Sequence, residues 1–181
     1  MTTVRVFVTG DPGSGKTTAI CRIADGLRNL GLKTGGMISR EIREDGVRVG
    51  FQLEDISSHE TGILAHLKRR SSGAPAVGRY FVNLADIERV GVAAIKHAIN
   101  EADIVIVDEI GPMELKSTQF IDAIEAALAS PKNFLGALHR YSSNELVTMI
   151  KSNSAYQVVE ITQINRDTLP QEIVKRFNVS K

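Results

Sequence analysis

Near the start of the chain, Gly10-Asp11-Pro12-Gly13-Ser14-Gly15-Lys16-Thr17 has the composition and spacing of a phosphate-binding loop. The glycines let the backbone curl until successive N–H groups converge on one anion, and a helix starting at the loop's end adds the positive end of its dipole. Lys16 is then placed to reach the β- and γ-phosphates of a nucleoside triphosphate, and the Thr17 hydroxyl to join the shell of a Mg²⁺ ion. Thr18, in the first helical turn, either adds a further phosphate contact or faces solvent. A glycine-rich run is often only a turn. The context here argues otherwise, because an apolar strand precedes the run and an amphipathic helix follows it.

The second chemical signal is Ile104-Val105-Ile106-Val107-Asp108-Glu109. Four apolar residues ending in acids describe a buried strand that delivers a carboxylate to the C-terminal edge of a sheet, where open α/β sheets place their ligands. Asp108 is expected to hold the Mg²⁺, through water, as the second carboxylate-bearing element of a nucleotide site. Glu109, one residue on and so facing elsewhere, is the candidate base that polarises an attacking water. Alone, this pattern also describes a solvated helix-capping pair; joined to the loop at Gly10 it gains force. Some ninety residues separate Lys16 from Asp108, and no Asn-Lys-x-Asp guanine-reading motif occurs. That spacing suits an extra central strand and a glutamate-activated water, and gives no support for guanine specificity.

Three further groups are candidates with plain alternatives. Arg140 follows a strand and should emerge at the same edge, where it either offsets charge on the transferring phosphoryl group or is a surface arginine. Asn165 and Arg166 follow the last strand, placed for a base edge and a base face, or simply for a polar turn. Lys68, Arg69, Arg70 and Arg79 lie in a stretch without acids between Glu60 and Asp86; they form a lid over the phosphates or a solvated face. His59, His66, His97 and His139 lack metal-ligand spacing and suit surface or satisfied core roles. Cys21 suits packing.

The elements that must position these groups alternate. Residues 4–9 read as a strand and 16–30 as a helix, stopped by Gly31. A helix marked by Ile87, Val90, Ala94, Ile95 and Ala98, with Asn83 as cap, precedes the strand at 104–107. A helix through Phe120, Ile124 and Leu128 leads to a strand at 134–138. Ser142 and Glu145 form a capping box for a helix carrying Leu146, Val147 and Ile150. A strand at 156–162 and a helix opened by Thr168 and Gln171 complete the series. Strand followed by helix, repeated, argues a parallel sheet covered on both faces. One segment departs: residues 38–42 and 47–53 alternate apolar and polar around Asp45-Gly46, which predicts an inserted antiparallel hairpin with a I′ turn. Residues 60–86 show little periodicity and read as a mobile, basic connection. The expectation is one α/β domain, residues 1–181, with three layers, a mainly parallel central sheet and that hairpin, in the P-loop NTPase fold.

Composition narrows the function further. In 181 residues, 22 Lys and Arg balance 21 Asp and Glu, which excludes a general polycationic binder and leaves no strong nucleic-acid signature. A single cysteine excludes a disulfide framework or zinc ribbon. No run approaches the ~20 apolar residues of a membrane span, and the N-terminus is not a signal peptide. A cytoplasmic protein is expected, with no membrane partner and protein partners not specified.

The motifs together resemble a known family. The loop 10–18, the run Gly-Gly-Met-Ile-Ser-Arg-Glu-Ile-Arg from Gly35, Val-Gly-Arg-Tyr from Val77, Val-Asp-Glu-Ile-Gly-Pro-Met-Glu-Leu from Val107 and the closing Asn165-Arg166-Asp167 are similar to the small nucleoside-triphosphatase family of archaea and thermophilic bacteria, with its vertebrate cancer-related member. The resemblance implies a Mg²⁺-dependent hydrolase that accepts ATP and other nucleoside triphosphates and yields the diphosphate and phosphate. It also implies nucleotide-binding stretches at Gly10 to Thr17 and Ile104 to Gly111, the second including Ile110. One departure is Pro112, where many members carry lysine; a phosphate contact from that lysine is then missing or comes from another residue such as Lys116. Two rival activities stay open: a nucleotide or small-metabolite kinase using ATP, and a nucleotide-state regulatory switch.

Overall fold

The computed structural model describes residues 3–68 and 72–178. Among these, the chain runs β1 Arg5–Gly10, α1 Lys16–Asn29, β2 Thr34–Glu44, β3 Val47–Asp55, β4 Thr61–His66, β5 Ala76–Val77, β6 Tyr80–Val82, α2 Leu84–Asp86, a π-helical segment Ile87–Val92 and α3 Ala93–Glu101. It continues through β7 Ile104–Ile110, a 3₁₀ turn Glu114–Lys116, α4 Thr118–Ala129, β8 Asn133–His139, α5 Glu145–Ser152, β9 Gln157–Glu160 and α6 Leu169–Asn178. All nine strands join one sheet in the order β5-β6-β4-β3-β2-β7-β8-β1-β9. The pairs β2–β7, β7–β8, β8–β1 and β1–β9 are parallel, and the four strands beyond β2 are antiparallel.

The three-layer, mainly parallel architecture follows from what the core strands carry. Val105, Val107, Phe7 and Phe134 face α3, α4 and α5 on one side, while Ile104, Ile106, Val6, Val8 and Leu135 face α1 and α6 on the other. A strand with apolar residues on both faces can be satisfied only between two helical layers. The expected helix caps hold in part. The Asn83 side chain accepts from the Asp86 N–H, as predicted. The helix at 145, however, is capped by Asn144, whose Oδ1 accepts from the Leu146 N–H, and not by Ser142. Ser142 instead accepts from the Asn144 N–H and so braces the true cap.

The hairpin is present, with Asp45 and Gly46 both at positive φ, as a I′ turn requires. Its first arm is longer than expected. Residues 34–38 of β2 pair in parallel with β7, so this strand belongs to the core before it becomes the hairpin. The reading of 60–86 as a connection is corrected. Thr61–His66 is a sheet strand with Leu64 and Ala65 buried against the π-helical segment, and Ala76–Val77 and Tyr80–Val82 extend the sheet. Short strands with one or two buried positions give too little periodicity to be seen in a sequence. Among the described residues no helix is long and apolar enough to cross a membrane.

One backbone contact joins the two parts of the sheet. Gly36 of β2 sits at φ +115°, and a Cβ there would lie 2.0 Å from the Ile106 carbonyl oxygen of β7. Neither the dihedral nor the spacing admits a side chain. Gly36→Ala is expected to cost more than about 3 kcal/mol, read as a fall in the urea midpoint relative to wild type. A neutral substitution would show that β2 does not approach β7 this closely.

Candidate active site

The loop between β1 and α1 turns through Gly13 at φ +77° and Gly15 at φ +102°, a conformation that L side chains rarely adopt, and closes with a Ser14 N–H to Asp11 carbonyl bond of 3.0 Å. Gly10 is required for a different reason: a Cβ there would lie 2.6 Å from the Ile161 carbonyl, in the segment after β9. Lys16 folds over the loop and donates from Nζ to the carbonyls of Gly10 (3.1 Å) and Asp11 (3.3 Å), with Glu109 Oε1 at 3.9 Å. A cavity of about 520 Å³ opens here, lined by Pro12, Gly13 and Gly15 to Thr18 on one side and by Glu109, Gly111, Pro112 and Glu114 on the other.

β7 brings its acids to this cavity through an irregularity. Val107 pairs with Gly136 of β8 and Ile110 with Leu138, so three steps on β7 match two on β8. Strict alternation would turn Asp108 and Glu109 to opposite faces. The bulge re-aims them, and Glu109 lines the cavity beside Lys16 instead of facing away. Beneath it, Ile104, Val105, Ile106 and Val107, with Ile110, are fully buried supports with no surface to offer a ligand.

Asp108 is 1% exposed, and neither of its carboxylate oxygens has a hydrogen-bond partner. Burial pushes its pKa up to about 7. The Thr17 hydroxyl, Lys16 and the Ser39 backbone are close enough to oppose that rise without closing a bond of ordinary geometry, and the Glu109 charge adds to it. Six buried side-chain polar atoms lack a partner among the described residues, and five belong to this one place: Ser14 Oγ, both Asp108 oxygens, Glu109 Oε1 and His139 Nδ1. Unmet polar atoms in a folded interior each cost about 1–3 kcal/mol, so their concentration here singles this place out as the candidate site. A second cavity of about 600 Å³, lined by Arg28, Lys33, His97 and Glu101, contains none of them.

Two residues of this site escaped the sequence reading. Glu114 is 4% exposed at the cavity wall, and a Cβ added at Gly111 would lie 3.2 Å from its Oε2. Desolvation pushes its carboxyl up to about 8, the Glu109 and Asp108 charges add to this, and backbone N–H groups of Glu114 and Gly111 oppose it. Its only sequence signal is its place in the run from Val107, where nothing predicts burial. Tyr141 donates from its hydroxyl to Asp11 Oδ1 at 2.6 Å and so ties the loop to the segment after β8.

The other predicted residues are more dispersed. Arg140 emerges at the expected edge, but its guanidinium pairs with Glu160 and lies 3.5 Å from Asp11 Oδ1. Asn165 spends its amide on its own loop, accepting from the Thr162 N–H (2.8 Å) and donating to the Glu160 carbonyl (2.9 Å). Arg166 is exposed on that loop. Lys68 pairs with Glu44 at 3.8 Å and Arg79 covers the Tyr80 ring at 5.4 Å; Arg69 and Arg70 lie outside the described residues. Lys116 is exposed and does not line the cavity, so it does not replace a lysine at Pro112.

The comparisons with known proteins agree with this geometry. A family model described as NTPase matches residues 5–174. A nucleoside-triphosphatase THEP1 of Methanosarcina acetivorans is 41% identical over 175 residues, covering 96% of this chain and 97% of its own. One from Pyrococcus abyssi is 46% identical over 137 residues, 76% of this chain and 75% of its own. The crystal structure of THEP1 from Aquifex aeolicus superimposes with a TM-score of 0.84 at 28% identity, over 96% of this chain and 98% of that one. The solution structure of a human cancer-related nucleoside triphosphatase gives 0.84 at 30% identity, over 98% and 99%.

Glu114 provides a stability test. Its folded pKa of about 8 lies above the 4.5 of a free glutamate, so the folded state binds the extra proton between those values and stability falls as pH rises through that window. Glu114→Gln removes the burden of a buried charge. Its thermal midpoint is expected to match wild type near pH 5 and to exceed it by several degrees at pH 9. Equal midpoints at pH 9 would show that the carboxyl is better solvated than its burial implies.

Proposed function

The chain belongs to the NTPase family, and from that membership we propose that it is a nucleoside-triphosphate hydrolase whose residues 1–181 form one domain built around this site. The carrying observation is the collection of orphaned buried polar atoms around the phosphate loop, opposite Lys16 and Thr17. The relatives' names favour transfer to water over transfer to an acceptor or use as a switch. ATP and other nucleoside triphosphates are the substrates in this reading, which releases the diphosphate and phosphate. Base selectivity is weak, since no guanine-reading motif is present and the Asn165 amide is engaged with its own loop. A cytoplasmic location goes with it.

The residues suit a Mg²⁺ ion. Asp108 offers two hard oxygens with no other partner, and the Thr17 hydroxyl stands beside them. No cluster of three His, Cys, Asp or Glu side chains among the described residues forms a cage, but Mg²⁺ does not need one, because it keeps waters and takes phosphate oxygens as ligands. Held by Asp108 and Thr17, such an ion would supply positive charge against the phosphate oxygens.

The chain's own residues do the rest. The backbone N–H groups of 13–18 and the α1 dipole hold the phosphates. The Lys16 ammonium neutralises phosphate charge from a site already walled from water on the protein side. Glu109 Oε1 makes no hydrogen bond and lies 3.9 Å from Lys16 Nζ; Glu109 at the cavity accepts a hydrogen bond from the attacking water and turns that water's lone pair toward phosphorus. Arg140 braces the lip of the loop through Asp11, and Arg166 offers its guanidinium to a base face.

Phosphate release from ATP, GTP, CTP and UTP, with and without Mg²⁺, tests this directly. Wild type is expected to release phosphate from several triphosphates and to stop when the metal is chelated. Lys16→Ala should lose turnover by at least ~100-fold. Glu109→Gln should bind Mg²⁺-nucleotide normally and lose ~100-fold or more in kcat. Near-normal hydrolysis in the glutamine variant would remove Glu109 from its role.

A further inference from the structure

The cavity at the phosphate loop does not end at the residues used above. From Lys16 and Glu109 it continues over Ser39 and Arg40 of β2 to Arg48 and Phe51 of β3, and on to Leu64 and Val77. Among the described residues none beyond His139 lines it, so it leaves the loop away from β9 and toward the antiparallel strands. In the hydrolase reading the metal-bound end of the triphosphate lies toward Asp108 on β7, and the rest of that nucleotide lies back across β1. The compartment over β2, β3 and β4 is on the other side of β7. It is therefore outside the span of that nucleotide.

Its lining has the make-up of a small-molecule site, apolar surface with a few fixed polar groups. Phe51, Leu64 and Val77 from the antiparallel strands and Pro112 and Met113 after β7 supply the apolar part. Leu64 stands there through a bulge: Phe51 pairs with Ala65 and Gln52 with Ile63, which leaves Leu64 as the extra residue of β4. The Arg48 guanidinium covers the Phe51 ring at 5.1 Å, and Tyr80 meets that ring edge-on at 5.2 Å. Arg48 donates from Nη1 to Glu41 (2.8 Å) and from Nε to the Tyr80 hydroxyl (3.1 Å), while Arg40 donates from Nε to Glu54 (3.0 Å). A guanidinium carries more N–H donors than these bonds use, so both arginines keep donors for an anion. We propose that this compartment binds a second small molecule, a ring-bearing anion of the nucleoside monophosphate class. Its ring lies against Phe51 and Arg48, and its anionic group takes the remaining donors of Arg40 and Arg48. Flat rings stack on aromatic and guanidinium surfaces, and an arginine already held in place loses little freedom when one arrives. The proposal rests on the hydrolase reading for the direction in which the triphosphate lies.

Calorimetric titration decides the matter. AMP, GMP, CMP and UMP are titrated in turn into protein saturated with Mg²⁺ and a non-hydrolysable ATP analogue. At least one is expected to bind at a single site, and ribose 5-phosphate, which lacks the ring, at least ~10-fold more weakly. Phe51→Ala should weaken the monophosphate by a similar ~10-fold and leave the affinity for the ATP analogue unchanged. Val77→Phe crowds the compartment without opening the core and should do the same, so the question stays decidable if the alanine variant does not fold. Absence of binding by all four monophosphates would overturn the proposal. So would binding that disappears as the ATP analogue is raised, which would place the monophosphate on the phosphate loop. Equal binding of ribose 5-phosphate, or wild-type affinity in Val77→Phe, would overturn it as well. If wild type releases no phosphate from any triphosphate, the hydrolase reading fails, and the titration, which needs no turnover, still decides for or against the second site.

Discussion

A carboxylate held out of water at the end of a parallel strand is the constraint on which this structure turns. Asp108 is enclosed by protein, and its burial works against its charge. The fold keeps it there because β7 is apolar on both faces and must lie between helical layers, so its C-terminal acid is carried into the interior with it. Glu114 repeats the arrangement a few residues on, at the far wall of the same cavity. Asp108, Glu109 and Glu114 lie within electrostatic reach of one another, and the Glu109 charge adds to the rise that burial imposes on the other two.

Topology decides which other groups join. In the parallel part of the sheet every strand ends at the same edge, and the order β7-β8-β1-β9 sets the acids, His139, the phosphate loop and Glu160 side by side along it. The loop's outer lip is then tied down by long-range contacts, from Tyr141 and Arg140 to Asp11 and from the segment after β9 against Gly10. These contacts explain how a loop of small residues keeps a defined shape without a core of its own.

The antiparallel strands extend the site in the other direction. The cavity continues from the loop past Ser39 and Arg40 of β2 to Arg48, Phe51, Leu64 and Val77. Arg48 stacks on Phe51 at 5.1 Å and is anchored to Glu41 and the Tyr80 hydroxyl, so the far wall is prearranged. Of the basic residues read as a lid or a solvated face, Arg79 lies over Tyr80 and Lys68 pairs with Glu44, so their charge goes into holding the extension together.

What was legible in the amino-acid sequence is what depends on neighbours along the chain. The loop 10–17, the helix after it, the I′ turn at Asp45-Gly46, the cap at Asn83 and the apolar run ending in Asp108 are local patterns, and each has its expected form. The α/β class follows from their alternation. The tertiary structure decided everything set by strands that meet across long separations. A bulge defined by β8 turned Glu109 into the cavity; a close approach to β7 made Gly36 necessary; and burial beneath the loop made Glu114 a raised-pKa acid. Asn165 and Arg140 show the reverse case, because residue type and position suggested a ligand while loop backbone and nearby acids engaged their polar groups. Along the chain His139 is an isolated histidine, and it lines the cavity because β8 lies between the loop strand and the acid strand.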